Sequence, residues 1–338
     1  MGTPHMAICW DPTNCMSRVH RERHRPNTRA QCSLNDVIAL LAPGQGSQTP
    51  GMLLPWLELP GAADRVALWS KASGLDLARL GTTATAEEIT DTSVTQPLVV
   101  AAALLAFEEI AGRGILGDDA IIAGHSVGEL AAAAVAGVIS SDEAVTLAAV
   151  RGAEMAKACA LEPTGMSAVL GGDEAEVLAR LDELGLEPAN VNAAGQIVAA
   201  GLLTALAELA ETPPAKARVR ALPVAGAFHT RFMAPAQDAV AAAAAAITPS
   251  DPSRVLLSNS DGRAVTSGAD ALAKLAAQVT KPVRWDLCTA TLRESAVSAV
   301  VELPPAGTLI GIAKRELRGT PTLGLKKPED IAALAELT

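Results

Sequence analysis

The chain has 338 residues and a formal net charge of −10; nearly half of it is hydrophobic, yet only 2% is aromatic and Tyr is absent. That length supports a substantial core, in one large domain or two smaller ones, and with so few rings the core has to be built from Ala, Leu and Val. The acidity argues against a nucleic-acid-binding face, the longest apolar run, around 98–107, is too short for a membrane span and ends in Glu108 and Glu109, and five Cys without zinc-type spacing fit a reduced, cytoplasmic protein.

Residues 1–36 read differently from the rest. They hold His5, His20 and His24, Cys9, Cys15 and Cys32, and Arg18, Arg21, Arg23, Arg25 and Arg29, with no hydrophobic periodicity. A secretory signal would need an apolar centre, and Asp11, Glu22 and Asp36 speak against an Arg-rich transit peptide. A basic nucleic-acid arm is one reading. The favoured one is a disordered leader, with the folded protein starting at Val37, a candidate alternative start.

From Val37 the rhythm is strand, Gly-rich turn, helix, that of an α/β protein. An apolar run at 37–41 enters Pro43-Gly44-Gln45-Gly46-Ser47-Gln48, and a helical stretch follows at 94–112. The segment 120–123 reads as a short buried strand leading into Gly124-His125-Ser126-Val127-Gly128. Helices are expected at 129–137 and 141–160, the second capped by Ser141, with Asp142 and Glu143 in its first turn. Strand-like segments at 166–170, 188–193, 196–200 and 217–222, with helices at 173–184 and 202–211, spell βαββαβ, a ferredoxin-like unit inserted into the larger α/β body. Helices at 231–246, 268–279 and 307–318 then alternate with strands at 255–258 and 298–303. No internal repeat is visible.

The segment 124–128 fits G-x-S-x-G between strand and helix, where the glycines permit a strained turn that projects the serine hydroxyl above the sheet. The helix that follows aims N–H groups and its positive dipole end at a developing oxyanion. A tight turn that merely carries Ser is the plain alternative. A serine needs a base to attack an ester or thioester, and outside the leader only His125 and His229 are available. His125 adjoins Ser126 in the turn, where neighbours point apart, so elimination favours His229, although a lone His is also at home in a core. No acid stands in a recognisable setting: Asp251, Asp261 and Glu302 are candidates, and a carbonyl orienting the ring would make a Ser–His dyad instead.

Five blocks in order carry a family resemblance: Ala42-Pro43-Gly44-Gln45-Gly46-Ser47-Gln48, the elbow with Glu129, Gly195-Gln196-Ile197-Val198-Ala199-Ala200-Gly201, Gly226-Ala227-Phe228-His229, and Lys281-Pro282-Val283-Arg284-Trp285. They resemble malonyl-CoA:acyl-carrier-protein transacylases of actinobacterial type, from Val37 nearly to the C-terminus. The resemblance implies a hydrolase-like α/β body with a parallel sheet, 37–160 and 226–338, carrying a ferredoxin-like subdomain at 161–225. It makes Ser126 the nucleophile, His229 its base, and the main-chain carbonyl of Gln278 the group that orients the ring. The N–H groups of Gln45 and Val127 form the oxyanion hole, and Arg151 binds the malonyl carboxylate, a bidentate pair that excludes uncharged acyl groups. Gln45, Asn192, His125 and Phe228 line the substrate site. Ala-Phe-His replaces the Ala-Ser-His type of many bacterial relatives and is similar to malonyl-selecting domains of polyketide synthases, so malonyl is expected over methylmalonyl. Glu302-Leu303-Pro304-Pro305-Ala306-Gly307 replaces a more glycine-rich turn.

The implied cycle is ping-pong, from malonyl-CoA to the pantetheine thiol of acyl carrier protein, serving fatty-acid elongation. It needs no metal or redox cofactor, CoA and phosphopantetheine entering as parts of substrates. Carrier proteins are typically acidic. Lys314 and Arg315 are the docking residues the resemblance favours over Lys216, Arg218 and Arg220. A monomer without membrane or nucleic-acid partners is expected. The rivals are a serine thioesterase or esterase on the same elbow, a carrier-protein scaffold with a vestigial elbow, and an acyltransferase of polyketide synthesis.

Overall fold

In the computed structural model, residues 37–224 and 226–337 are described; the expectations for the leader lie outside them. Ten strands occur among the described residues: β1 (Ile38–Ala42), β2 (Ile121–Gly124), β3 (Thr164–Gly171), β4 (Glu187–Ala193), β5 (Gln196–Leu202), β6 (Ala217–Ala221), β7 (Val255–Leu256), β8 (Val283–Arg284), β9 (Ala299–Glu302) and β10 (Thr322–Gly324). They form two five-stranded sheets, ordered β10-β9-β1-β2-β7 and β6-β3-β5-β4-β8.

Every pairing in the first sheet is parallel. A parallel sheet is covered on both faces, which is why β1 reads Ile-Ala-Leu-Leu-Ala and is buried throughout. Its residues alternate between two layers. Ile38, Leu40 and Ala42 join the larger core, whereas Ala39 and Leu41 pack with Trp285, Leu309 and Ile312 on the opposite face. The larger core includes the helix Thr92–Gly112, whose residues 98–106 are all buried. By length and composition alone this helix could cross a membrane: its 21 residues have a mean hydropathy of 1.5 over the best window, 72% of which is buried inside the protein. A helix that is apolar all round belongs in an interior of either kind, and here the interior is the protein's own.

In the second sheet β3 pairs antiparallel with β5 and β6, and β4 with β5, while β8 adds a parallel edge beside β4. The period of two sorts its faces. Ile197 and Ala199 pack under the helices Glu174–Glu183 and Leu203–Glu211, and Val198 and Ala200 turn to the larger core.

Several expected elements differ in detail. The helix Ser141–Cys159 is capped by Ser140, not Ser141, in a reciprocal capping box with Glu143, because the box requires the carboxylate three residues after the cap. The helix expected from 231 opens with a 3₁₀ turn, Arg231–Met233, before Ala234–Ala245. The strand expected to Ser258 ends at Leu256, and Leu257 makes a lone bridge to Ala264.

Candidate active site

The elbow follows from two tight approaches. A Cβ on Gly124 would lie 2.1 Å from the carbonyl oxygen of Gly128, and one on Gly128 would lie 2.3 Å from that of Ala42. With both side chains absent, β2 turns straight into the helix Gly128–Val135, and Ser126 sits at φ 53°, in the left-handed region. Asn259 staples the turn: its Oδ1 accepts the Ser126 N–H at 2.8 Å and its Nδ2 donates to the Gly124 carbonyl at 2.8 Å. The next N–H groups are engaged in the first helical turn, Gly128 to His125 and Glu129 to Ser126. The N–H groups of Val127 and Gln45 have no acceptor among the described residues. Two unspent donors beside a helix N-terminus can receive an oxyanion.

Ser126 Oγ lies 2.7 Å from His229 Nε2, and His229 Nδ1 lies 2.8 Å from the main-chain oxygen of Gln278. A carbonyl only accepts, so Nδ1 carries the proton and Nε2 offers its lone pair to the serine hydroxyl. Burial, then the nearby Arg151 cation, push the His229 pKa down to about 3, keeping the imidazole neutral. None of the three candidate acids is bonded to His229. Glu302 accepts from the N–H groups of Gly307, Leu309 and Ile310, Asp251 from Gly268, and Asp261 from Arg263, with Lys274 close by. The geometry is that of a dyad oriented by a backbone carbonyl.

Arg151 is 3% exposed, on the helix Ser141–Cys159. Nη1 donates to Gln96 Oε1 at 2.7 Å; Nη2 donates to Gln278 Oε1 at 3.1 Å and reaches Ser126 Oγ at 3.3 Å. Burial lowers its pKa to about 10, with Glu129 opposing the shift, so the guanidinium stays charged at neutral pH. Leu130, Leu147, Val240 and Leu275 line the space around it together with Ser126 and Gln278. A buried, fixed cation beside Ser126 suits a ligand bearing its own carboxylate.

The remaining expected residues are distributed more widely. Gln45 Nε2 donates to Thr92 Oγ1 at 3.2 Å. His125 Nε2 and Asn192 Oδ1 are 2.9 Å apart, joining the elbow to β4, and the imidazole meets Trp285 edge-on at 5.5 Å. Phe228 is buried, packed in the larger core next to Gly226. Lys314 and Arg315 are exposed in the last turn of the helix Thr308–Glu316, and Arg315 donates to Gln196 Oε1 at 2.7 Å. Arg218 and Arg220 are exposed on the edge strand β6.

Sequence reasoning missed Gln96, Asn259, Glu129 and the side chain of Gln278 as members of the site. Glu129 stands in the sequence simply as the end of the elbow block. It is 5% exposed, and burial raises its pKa to about 8 against the pull of the Asn259 N–H, Arg151, Lys274 and Gln278. Among the described residues no three His, Cys, Asp or Glu side chains gather as a metal site.

The chain matches the acyl transferase domain family over residues 40–333. It is 72% identical over 302 residues to the malonyl CoA-acyl carrier protein transacylase of Mycobacterium tuberculosis, spanning 89% of this chain and 100% of that one. The crystal structure of the transacylase named MCAT from the same organism superimposes with a TM-score of 0.87, covering 88% of this chain and 99% of the other. A malonyl-transacylase solved in complex with its type II PKS acyl-carrier protein superimposes with a TM-score of 0.84 at 28% identity, covering 89% of this chain and 100% of that one.

Proposed function

The chain belongs to the acyl transferase family, among the malonyl CoA-acyl carrier protein transacylases of actinobacterial type, and from that premise we propose how its own residues perform the transfer. The enzyme moves a malonyl group from malonyl-CoA to acyl carrier protein. One observation carries the assignment of residues: a neutral imidazole nitrogen 2.7 Å from Ser126 Oγ, with a buried guanidinium 3.3 Å from the same oxygen.

On binding, the malonyl carboxylate takes over the Arg151 donor that the serine hydroxyl occupies in the free enzyme. Ser126 Oγ attacks the thioester carbon while His229 Nε2 takes its proton, and the N–H groups of Gln45 and Val127 receive the oxyanion. The tetrahedral intermediate collapses, the C–S bond breaks, and His229 returns the proton to the CoA sulfur. The pantetheine thiol then gives its proton to His229 and attacks the malonyl-serine ester, and the reverse sequence frees the serine. One thioester replaces another, so no electrons are exchanged. His125, Asn192 and Phe228 line the approach between the body, 37–160 and 226–338, and the subdomain at 161–225. Phe228 favours malonyl over 2-methyl-branched substrates. The pathway served is fatty-acid elongation, in a soluble cytoplasmic enzyme.

Lys314 and Arg315 form the landing site for the acidic carrier. Lys314→Glu with Arg315→Glu is expected to raise the KM for carrier protein while sparing loading from malonyl-CoA; an unchanged carrier KM would sink this docking site. The transfer reading is tested by intact-protein mass spectrometry after brief mixing with malonyl-CoA. A malonyl adduct on the unaltered enzyme, absent from Ser126→Ala and discharged by carrier protein, is the expected result. Discharge by water at the same rate would identify a thioesterase.

A further inference from the structure

Gln278 touches the two halves of the site with different atoms. Its main-chain oxygen accepts from His229 Nδ1, while its side-chain Oε1 accepts from Arg151 Nη2. A primary amide is nearly symmetrical in shape, so only its partners decide which end faces the guanidinium. Arg151 is purely a donor and requires the oxygen. What secures that choice is on the other side: Gln278 Nε2 donates to Glu129 Oε2, and more weakly to Asn259 Oδ1 at 3.2 Å.

Glu129 lies in the first turn of the helix after Ser126, buried and in no salt bridge among the described residues. Its Oε1 is taken by the Asn259 N–H at 2.6 Å, leaving Oε2 for Gln278. This position therefore needs two acceptors at once, which an ionised carboxylate supplies and an amide does not. We propose that Glu129 is a positioning residue that fixes the polarity of the Gln278 amide and so holds Arg151 in register with Ser126, making it a determinant of acyl-group selectivity. The proposal rests on the malonyl-transfer reading and deepens it.

The change Glu129→Gln keeps the shape and removes one acceptor. Either the new amide turns an NH₂ on the Asn259 N–H, or Gln278 reverses and presents its NH₂ to Arg151; two donors face each other in both cases. Acyl-enzyme formation from malonyl-CoA and from acetyl-CoA separates the consequences, because both use Ser126 and His229 but only malonyl uses Arg151. For Glu129→Gln the malonyl kcat/KM is expected to fall by about tenfold or more, mainly through KM, with acetyl loading changed by less than about twofold. Glu129→Gln combined with Gln278→Glu restores an acceptor–donor order along the row and is expected to recover most of the malonyl loss. Equal losses on both donors, or no loss on either, would overturn the proposal. If Glu129→Gln does not fold, Glu129→Asp, which keeps two acceptors one methylene short, is read by the same ratio, and again equal losses overturn it. A crystal structure of whichever variant folds reads the geometry without substrate: Arg151 left in its parent position in Glu129→Gln, or displaced in the double variant, counts against it. Failure of the unaltered enzyme to load malonyl at all would instead sink the malonyl-transfer reading, with the position of Arg151 in the variants still deciding this one.

Discussion

Two strand–helix junctions flank β1 in the parallel sheet, and they treat the same physical feature in opposite ways. After β9, the helix Thr308–Glu316 has its N-terminus filled: Glu302 accepts from Gly307 N at 2.8 Å and from Leu309 N and Ile310 N at 3.0 Å each. After β2, the helix Gly128–Val135 has no side-chain cap, and the N–H of Val127 has no acceptor among the described residues. A helix N-terminus is an anion site wherever it occurs. One junction satisfies it with the protein's own carboxylate and gains stability; the other leaves it open, holds a serine in a strained conformation beside it, and gains a place for charge that exists only during reaction. The contrast can be broken by mutation at either end.

The largest effect is expected at the open junction. Ser126→Ala should abolish the malonyl adduct and lower transfer by about 10⁴-fold or more, while the melting temperature stays within a few degrees of the parent because the one buried atom left without its bond is His229 Nε2. Calorimetry beside mass spectrometry reads both; a large loss of stability would mean that the strained turn is part of the scaffold. Next comes Arg151→Gln, which removes the charge-assisted contacts to a bound carboxylate. Malonyl loading should fall by about 10²-fold, corresponding to roughly 3 kcal/mol, whereas acetyl loading should hold or rise. Equal loss for both acyl groups would place the arginine's role in the elbow and not in selectivity. At the filled junction the signs reverse: Glu302→Ala leaves three helix-terminal N–H groups without their acceptor, two of them buried, and is expected to cost about 2–4 kcal/mol of stability. The kcat of the variant that remains folded should match the parent, measured well below its melting temperature.

The same contrast explains what the sequence could disclose. The open junction announces itself locally, because a sharp turn needs Gly124 and Gly128 at fixed offsets from Ser126, and an apolar run must precede it. Likewise the capping box of the helix Ser141–Cys159 is written as Ser140 and Glu143, three residues apart, where the expected cap Ser141 has no carboxylate at that spacing. Side chains that meet only through topology leave no such trace. Gln96, Asn259 and Glu129 reach Arg151, Ser126 and one another across separations of 55, 133 and 130 residues, so nothing near any of them in the chain marks it. The filled junction was misjudged for a related reason: Glu302 looked available as a catalytic acid until its three N–H partners were in place. β8 and β10 have two and three residues, too few to show a period. For the helix Thr92–Gly112, composition describes an apolar interior without saying whose.

The smallest expected effect bears on the base that the open junction needs. In the proposed cycle, loading of malonyl from CoA requires His229 neutral, and kcat/KM reports the ionisations of the free enzyme. An imidazole of ordinary pKa, near 6.5, would lose about tenfold in activity a full pH unit below that value. His229 is held down to about 3 by its burial and by the Arg151 cation, so protonation, the step that inactivates it, is displaced to strongly acid solution. Between pH 5.5 and pH 7 the kcat/KM for malonyl loading should therefore change by less than about twofold, measured in single turnover over a range in which the fold is intact. A limb near neutrality would mean that the site admits enough water to restore an ordinary histidine. Any limb seen higher, near the value of about 8 to which burial raises Glu129, belongs to a different group and should vanish in Glu129→Gln. That separation matters because the two shifts share a cause but not a direction: burial disfavours the charged form of each, lowering the imidazole and raising the carboxyl, and at the carboxyl the Asn259 and Gln278 N–H groups oppose it.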